Sequence, residues 1–144
     1  MIRHLGLKAY GKINLGLDVL KKREDGYHEV RMIMQTVGLY DKIDLYLKET
    51  PGITVQTNLY YLPVNENNLV YKAAKLLMDE FHINHGVTIH LKKFIPVSAG
   101  MAGGSSDAAA VLFGVNKMFN LGLSMEALME RGVKIGADVP YCVM

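Results

Sequence analysis

From Gly6 to Leu20 the odd positions carry Leu7, Ala9, Gly11, Ile13, Leu15, Leu17 and Val19, and the even ones carry Lys8, Tyr10, Lys12, Asn14, Gly16 and Asp18. A period of two marks a long strand with one buried face. It also sets Lys12 and Asn14 side by side on the polar face. Lys21-Lys22-Arg23-Glu24 runs into Asp25-Gly26, a turn pair. Beyond it Val30, Met32 and Met34 alternate with Glu29, Arg31 and Ile33, which predicts the return strand of a hairpin. Ile43, Leu45 and Leu47 predict a third strand, Pro51-Gly52 a turn, and Ile53 and Val55 a fourth. Asn67 or Asn68 can cap a helix whose apolar stripe is Leu69, Val70, Ala73, Leu76, Leu77 and Phe81. Val87, Ile89 and Leu91 alternate as another strand. A second helix presents Ala108, Val111, Leu112, Val115 and Phe119 inward and stops near Asn120 to Gly122. Ser124 caps a third, through Met125, Leu128 and Met129, ending near Gly132 to Gly136. Strands cluster early and helices late, with no repeat, linker or low-complexity tract. The expected class is α+β, a mixed or antiparallel sheet packed against helices, as one domain over residues 1–144.

The segment with the clearest chemistry lies between the last strand and the second helix: Pro96, Val97, Ser98, Ala99, Gly100, Met101, Ala102, Gly103, Gly104, Ser105 and Ser106. Its glycines allow positive φ and close approach of a ligand to the backbone. Successive amides in such a loop make an anion-binding concavity, and the following helix adds its free N–H groups and positive dipole end. Ser105 and Ser106 supply hydroxyls. A triphosphate suits this geometry best. There is no Gly-Lys-Ser/Thr, so the loop is not of the Walker type, and it does not follow G-x-G-x-x-G. Gly103-Gly104-Ser105-Ser106-Asp107 ends in Asp and so departs from the nucleophile elbow G-x-S-x-G. Read without a family, the small residues serve equally well for tight helix-on-sheet packing, with Ser106 or Asp107 as the cap.

Composition changes little. The 144 residues are 50% hydrophobic and 21% charged, ordinary values for a globular domain. A net charge of +2 gives no argument for nucleic acid or an anionic membrane. Cys142 is the single cysteine and forms no internal disulfide, which fits a reducing cytoplasm. No apolar run reaches the ~20 residues of a membrane span. His82-Ile-Asn-His85, with His90 nearby, has a metal-like spacing but no completing cluster, and reads as a helix end. Lys21-Lys22-Arg23 and Lys92-Lys93 read as solvated faces. The methionines read as core filler, and Tyr60-Tyr61 as a pair that could border a ligand groove.

The run Pro96-x-x-x-Gly100-Met-Ala-Gly-Gly-Ser-Ser-Asp-Ala-Ala109 resembles the phosphate loop of the GHMP kinases, which act on galactose, homoserine, mevalonate and related alcohols. Ala9-Tyr-Gly-Lys-Ile-Asn-Leu15 is similar to that family's first motif, Asp25-Gly-Tyr-His28 to a substrate loop, and Gly136-Ala-Asp-Val-Pro140 to its catalytic Asp segment. The resemblance runs through nearly the whole chain in the family's order. It implies the family's N-terminal fold, which is shared with a ribosomal protein domain. It also implies ATP with Mg²⁺, whose ligands it does not assign, and transfer of the γ-phosphoryl to a hydroxyl of a small molecule. Asp138 would take the hydroxyl proton, with Lys12 polarising that hydroxyl and steadying the developing charge. Tyr27 and His28 would hold the cytidine of a cytidine diphosphate-linked methylerythritol, Asn14 would sit near its reacting 2-hydroxyl, and Asn68 near the adenosine. Positions 98 and 102 are Ser and Ala where some relatives carry Gly, both small enough to keep the cradle.

The resemblance further implies a second, C-terminal domain, so a truncated chain of little or no turnover is expected. Val139-Pro-Tyr-Cys-Val-Met144 reads as the start of a strand, whose cut edge would invite self-association. The alternatives are another GHMP small-molecule kinase, a non-catalytic nucleotide-binding module, and an RNA-binding domain disfavoured by the charge.

Overall fold

The computed structural model describes residues 1–14, 34–95 and 103–143. Its strands are β1 (His4–Asn14), β2 (Met34–Lys48), β3 (Gly52–Thr57) and β4 (Gly86–Lys92). Its helices are α1 (Leu69–Glu80), α2 (Gly103–Met118), α3 (Met125–Val133) and α4 (Val139–Val143). The strands form one four-stranded sheet in the order β1-β2-β4-β3. β2 pairs antiparallel with β1 and β4, whereas β3 and β4 run parallel. A parallel neighbour needs a crossover, and α1 supplies it. The mixed sheet and the α+β class are as the pattern predicts.

The alternation decides which face is covered. Ala9, Ile43, Leu45, Val55, Val87, Ile89 and Leu91 are buried, all at odd positions, and pack against the stripes of α1 and α2. Those stripes are Val70, Ala73 and Leu77 on α1, and Ala108, Val111, Leu112, Val115 and Met118 on α2. Each large apolar side chain so removed from water contributes roughly 1.5–3 kcal/mol. The opposite face carries a polar and aromatic set, including His4 stacked on Tyr46 at 4.5 Å between centroids. Gly114 brings α2 close to the sheet: a Cβ there would lie 2.5 Å from Leu45 Cδ1 and 2.7 Å from Leu7 Cδ1.

Caps fix the helix starts. Asn68 accepts from Val70 N at 3.0 Å, and Ser124 Oγ accepts from Ala127 N at 3.1 Å. His82, in the HINH segment, follows the α1 C-cap with φ +50° and so belongs to a helix end. Arg131 of α3 donates to Glu80 at the end of α1, 3.0 Å from Nε to Oε1.

Two expectations are corrected. The strand predicted at Ile43 to Leu47 begins earlier, because β2 runs unbroken from Met34, the last residue of the predicted return strand, to Lys48. The pairing moves from Tyr10↔Tyr40 to Lys12↔Thr36, so the ladder takes up extra β2 residues as an irregularity opposite Gly11 rather than ending. Gly38 in mid-strand hides this continuity from a pattern reading. The apolar run at the C-terminal end is helical over Val139–Val143, not a strand. Six apolar residues cannot distinguish the two by period, and Pro140 is tolerated in a first helical turn. The predicted hairpin turn at Asp25-Gly26, the strand after it up to Ile33, and the Lys21-Lys22-Arg23 run lie outside the described residues.

Gly86 pairs with Gly52 where β3 and β4 begin. A Cβ on Gly86 would run into the carbonyl oxygens of Thr50 and Gly52, 2.6 Å from the latter, and both are backbone atoms. Gly86→Ala is therefore expected to lower stability by about 1–3 kcal/mol. Gly104→Ala, whose Cβ meets only Leu69 Cδ1 at 3.5 Å, should not. Urea unfolding of the two variants side by side checks the contrast.

Candidate functional site

Of the glycine-rich segment, residues 96–102 lie outside the described residues, while both flanks are described. On the upstream side the chain leaves β4 through Lys93, Phe94 and Ile95. Asp41 of β2 holds this exit: its Oδ1 accepts from Phe94 N at 2.7 Å and Ile95 N at 2.8 Å. Its Oδ2 accepts from Lys93 Nζ at 2.6 Å. The same Nζ donates to Asp107 Oδ2 in α2 at 2.8 Å. Asn58 adds a two-way clamp, accepting from Lys93 N at 2.8 Å and donating to Lys93 O at 3.2 Å. On the downstream side Gly103, Gly104 and Ser105 open α2, with Gly104 exposed and Ser105 half-buried. Ser106 is buried and its Oγ donates to Tyr10 O at 2.6 Å, pinning the start of α2 to β1. Neither Ser106 nor Asp107 caps the helix, since both stand inside it.

The expectation that Lys92-Lys93 is a solvated face is overturned for Lys93, which is 8% exposed, beside Asp41 at 0% and Asp107 at 2%. The signal was present in the alternation. Lys93 continues the inward series Val87, Ile89, Leu91, and Asp41 precedes the inward series Ile43, Leu45, Leu47. Because Ile43 pairs with Leu91 and Lys42 with Lys92, the register carries Asp41 and Lys93 to opposing places. Asp107 stands one turn before Val111 on the inner stripe of α2.

Burial pushes the Asp41 carboxyl up, but hydrogen bonds from Asp107, the Ile95 amide, Lys93 and the Phe94 amide outweigh it and hold the group below its ordinary value. Burial likewise opposes charge on Lys93, and the two carboxylates overcome it and raise the ammonium. Asp107 goes the other way. Burial, then its hydrogen bond to Asp41, push it up to about 8 against the pull of Lys93.

Lys12 and Asn14 are placed by backbone at the end of β1, opposite Thr36 and Met34, and their side chains lie outside the described residues, as do Tyr27 and His28 entirely. Asp138 is exposed at the turn between α3 and α4. That turn forms because Val139, fully buried, seats on Gly132, where a Cβ would lie 3.0 Å from Val139 Cγ1. Asn68 uses both ends of its amide locally, accepting from Val70 N and donating to Pro63 O at 2.9 Å. Tyr60 is 97% exposed and meets Tyr61 edge-on at 5.5 Å. An open cavity of about 310 Å³ is lined by Leu7 to Tyr10 of β1, Ser106 and Phe113 of α2, and Cys142 and Val143 of α4. It brings Ala9 and Tyr10 of the first motif and Ser106 and Ala109 of the glycine-rich run to one opening. Among the described residues, no group of three His, Cys, Asp or Glu is arranged to hold a metal ion, and no helix is long and apolar enough to cross a membrane.

Comparison with known proteins gives the family. The chain is 61% identical over 140 residues to a 4-diphosphocytidyl-2-C-methyl-D-erythritol kinase of Lachnoclostridium phytofermentans, a match covering 97% of this chain and 48% of that protein. Among solved structures it is similar to a 4-(cytidine 5'-diphospho)-2C-methyl-D-erythritol kinase, with a TM-score of 0.74 at 36% identity over 96% of this chain and 48% of that one. Mevalonate kinase of Methanococcus jannaschii shares the fold, with a TM-score of 0.69 at 19% identity over 92% of this chain and 45% of that one. The chain spans about half the length of the curated relatives it matches. Residues 68–144 match the family described as "GHMP kinases N terminal domain", and this chain belongs to that family.

Proposed function

We propose that this chain is the nucleotide-binding and catalytic half of a kinase that phosphorylates the 2-hydroxyl of 4-diphosphocytidyl-2-C-methyl-D-erythritol, a step of non-mevalonate isoprenoid synthesis. The observation that carries the reading is the identity to a relative so named, along a chain that holds all four motifs in order. In this reading residues 1–144 are one domain, a second domain completes the cleft, and turnover belongs to the full-length protein, in the cytoplasm.

The residues present fit a polyphosphate. The exposed Gly104 and half-buried Ser105 open a 16-residue helix, offering amides and a hydroxyl, all donors, at its positive end. ATP, when bound along Pro96 to Ser106, supplies the γ-phosphoryl; Mg²⁺ accompanies it, with no ligand from this chain assigned. Phosphoryl transfer then asks the protein for positioning, charge neutralisation and one proton acceptor. Asp138 is the acceptor for the 2-hydroxyl proton. Lys12 polarises the hydroxyl and steadies charge on the transferring group. Asn14 orients the substrate near the hydroxyl, and Tyr27 with His28 holds the cytosine by stacking and hydrogen bonding. Asn68 lies near the adenosine, where its cap builds the wall rather than offering a free amide.

In the full-length protein, Asp138→Asn is expected to lower kcat by about 10²–10⁴-fold with little change in KM. A variant that keeps full turnover would turn the reading into that of a non-catalytic nucleotide module. Tyr27→Ala is expected to raise KM for the cytidine substrate roughly ten-fold or more, as loss of one base stack does, and to leave KM for ATP alone. Steady-state assays with the diphosphocytidyl substrate beside mevalonate, homoserine and galactose decide the substrate. No turnover of the first ends its assignment.

A further inference from the structure

Asp41, Lys93 and Asp107 have no part in the proposed transfer, yet they are the buried charged side chains among the described residues. They stand on the two flanks of segment 96–102. Asp41 grips the amides of Phe94 and Ile95 on one side, and Lys93 bridges from there to Asp107, in the second turn of α2, on the other. Here one cation serves two carboxyl groups. An extra buried anion without a counter-ion is costly. Asp107 Oδ1 is moreover buried with no hydrogen-bond partner, a cost that lasts only while the group is a carboxylate. A proton on Asp107 resolves both difficulties. The cluster becomes neutral, and a proton on the group removes the charge that leaves Oδ1 an orphaned acceptor, with Lys93 Nζ still shared between Asp107 and Asp41.

The charged groups facing Asp107 are Asp41 from β2 and Lys93 from the end of β4. β1 sets Ala9 opposite Asp41, and α1 sets Leu69 against Gly104. Among the described residues, neither brings a further charge against Asp107.

We infer that Asp41, Lys93 and Asp107 form a protonated clasp that fixes the exit of β4 against the start of α2, and that loss of the Asp107 proton weakens binding of a nucleotide polyphosphate at the N-terminal end of α2. The second half rests on the nucleotide reading above; the first does not. An ionised Asp107 places a negative charge one turn inside the helix whose positive end faces the phosphates, and so cancels part of the field that draws them. These three are positioning residues, since none touches the reacting atoms.

The sign for stability follows from where each state holds the proton. The folded chain keeps it up to about pH 8, whereas an ordinary carboxylate releases it near 3.8. Over that window the folded state binds more protons, so Asp107 makes stability fall as pH rises and contributes no further change above it. Asp107→Asn removes the effect while keeping the contacts, because its amide can donate to Asp41 and its carbonyl accept from Lys93.

The test uses the full-length protein and Asp107→Asn, with three readouts from about pH 4 to about pH 9.5, spanning the ordinary carboxylate range and beyond. Carbon-13 NMR of the Asp107 carboxyl should titrate near 8; a midpoint in the ordinary carboxylate range overturns the clasp whether or not nucleotide binds. The melting temperature of Asp107→Asn relative to wild type should climb between about pH 4 and about pH 8 and then level off; a constant difference also overturns the clasp. Titration with a fluorescent ATP analogue should show wild-type affinity falling several-fold through the alkaline range and that of Asp107→Asn staying level. Parallel loss in both proteins overturns the coupling. No binding by either at any pH, with the carboxyl still titrating high, overturns the nucleotide reading and leaves the clasp standing as a folding device.

Discussion

The buried pairing of Asp41 with Lys93 is the constraint on which the rest of the site depends. Two strands could deliver these side chains to the core face in opposing places only in one register, because a slip by one residue would turn the slipped strand's partner of the pair outward. A buried ion pair is a weak source of net stability, since desolvation opposes the attraction. It is a strong source of discrimination, since any arrangement that separates the partners leaves a charge uncompensated in the core. Here the pair also reaches a helix. Lys93 donates to Asp107 as well as Asp41, so the relative placement of β2, β4 and α2 is fixed at one point, at the base of the glycine-rich segment.

Close approach does the remaining work. Gly114 lets α2 sit against Leu45 and Leu7 with no side chain between. Eight residues earlier on the same helix, Ser106 can then reach the Tyr10 carbonyl of β1. Gly132 does the same for the turn at Asp138, admitting Val139 into the core so that α4 leans on α2 and α3. In both places an absent Cβ sets where a motif residue stands, which is why small residues recur beside the chemistry as well as within it.

Much of this was legible in the chain. Odd-position alternation gave the covered face of β1, β3 and β4, and polar residues ahead of apolar stripes gave the starts of α1 and α3 at Asn68 and Ser124. The failures share one physical origin: a local pattern does not name the partner. Lys93 read as solvated because a lysine beside a lysine usually is, although its parity placed it inward. The carboxyls of Asp41, fifty-two residues away, and of Asp107 make that position tolerable. The stretch of β2 from Met34 to Lys42 carried no strand signal, because an irregularity opposite Gly11 is a property of the pair and not of either strand. Residues 139–143 read as a strand because an apolar run lacks a period, and the seat on Gly132 is tertiary. Of the candidate site, the motifs named the segments, and the flanking scaffold of Asp41, Lys93 and Asn58 carried no motif to name it.

The described part of the site divides its polar residues by task. Ser106 and Asn68 fall within or beside family-like motifs, yet the Ser106 hydroxyl donates to a main-chain carbonyl, and both ends of the Asn68 amide engage main-chain partners. Their work is to hold β1, α1 and α2 at fixed distances. Gly104, Ser105 and Asp138 are instead exposed or half-buried at the ends of those held elements. A site for a highly charged ligand benefits from this separation. Donors that must meet phosphate cost least when their backbone is already immobile before the ligand arrives, and immobility at the end of a helix has to come from side chains spent inside. The Asp41–Lys93–Asp107 cluster extends the same logic to charge: a neutral base under the segment leaves the positive end of α2 uncompensated, and therefore available to an incoming anion.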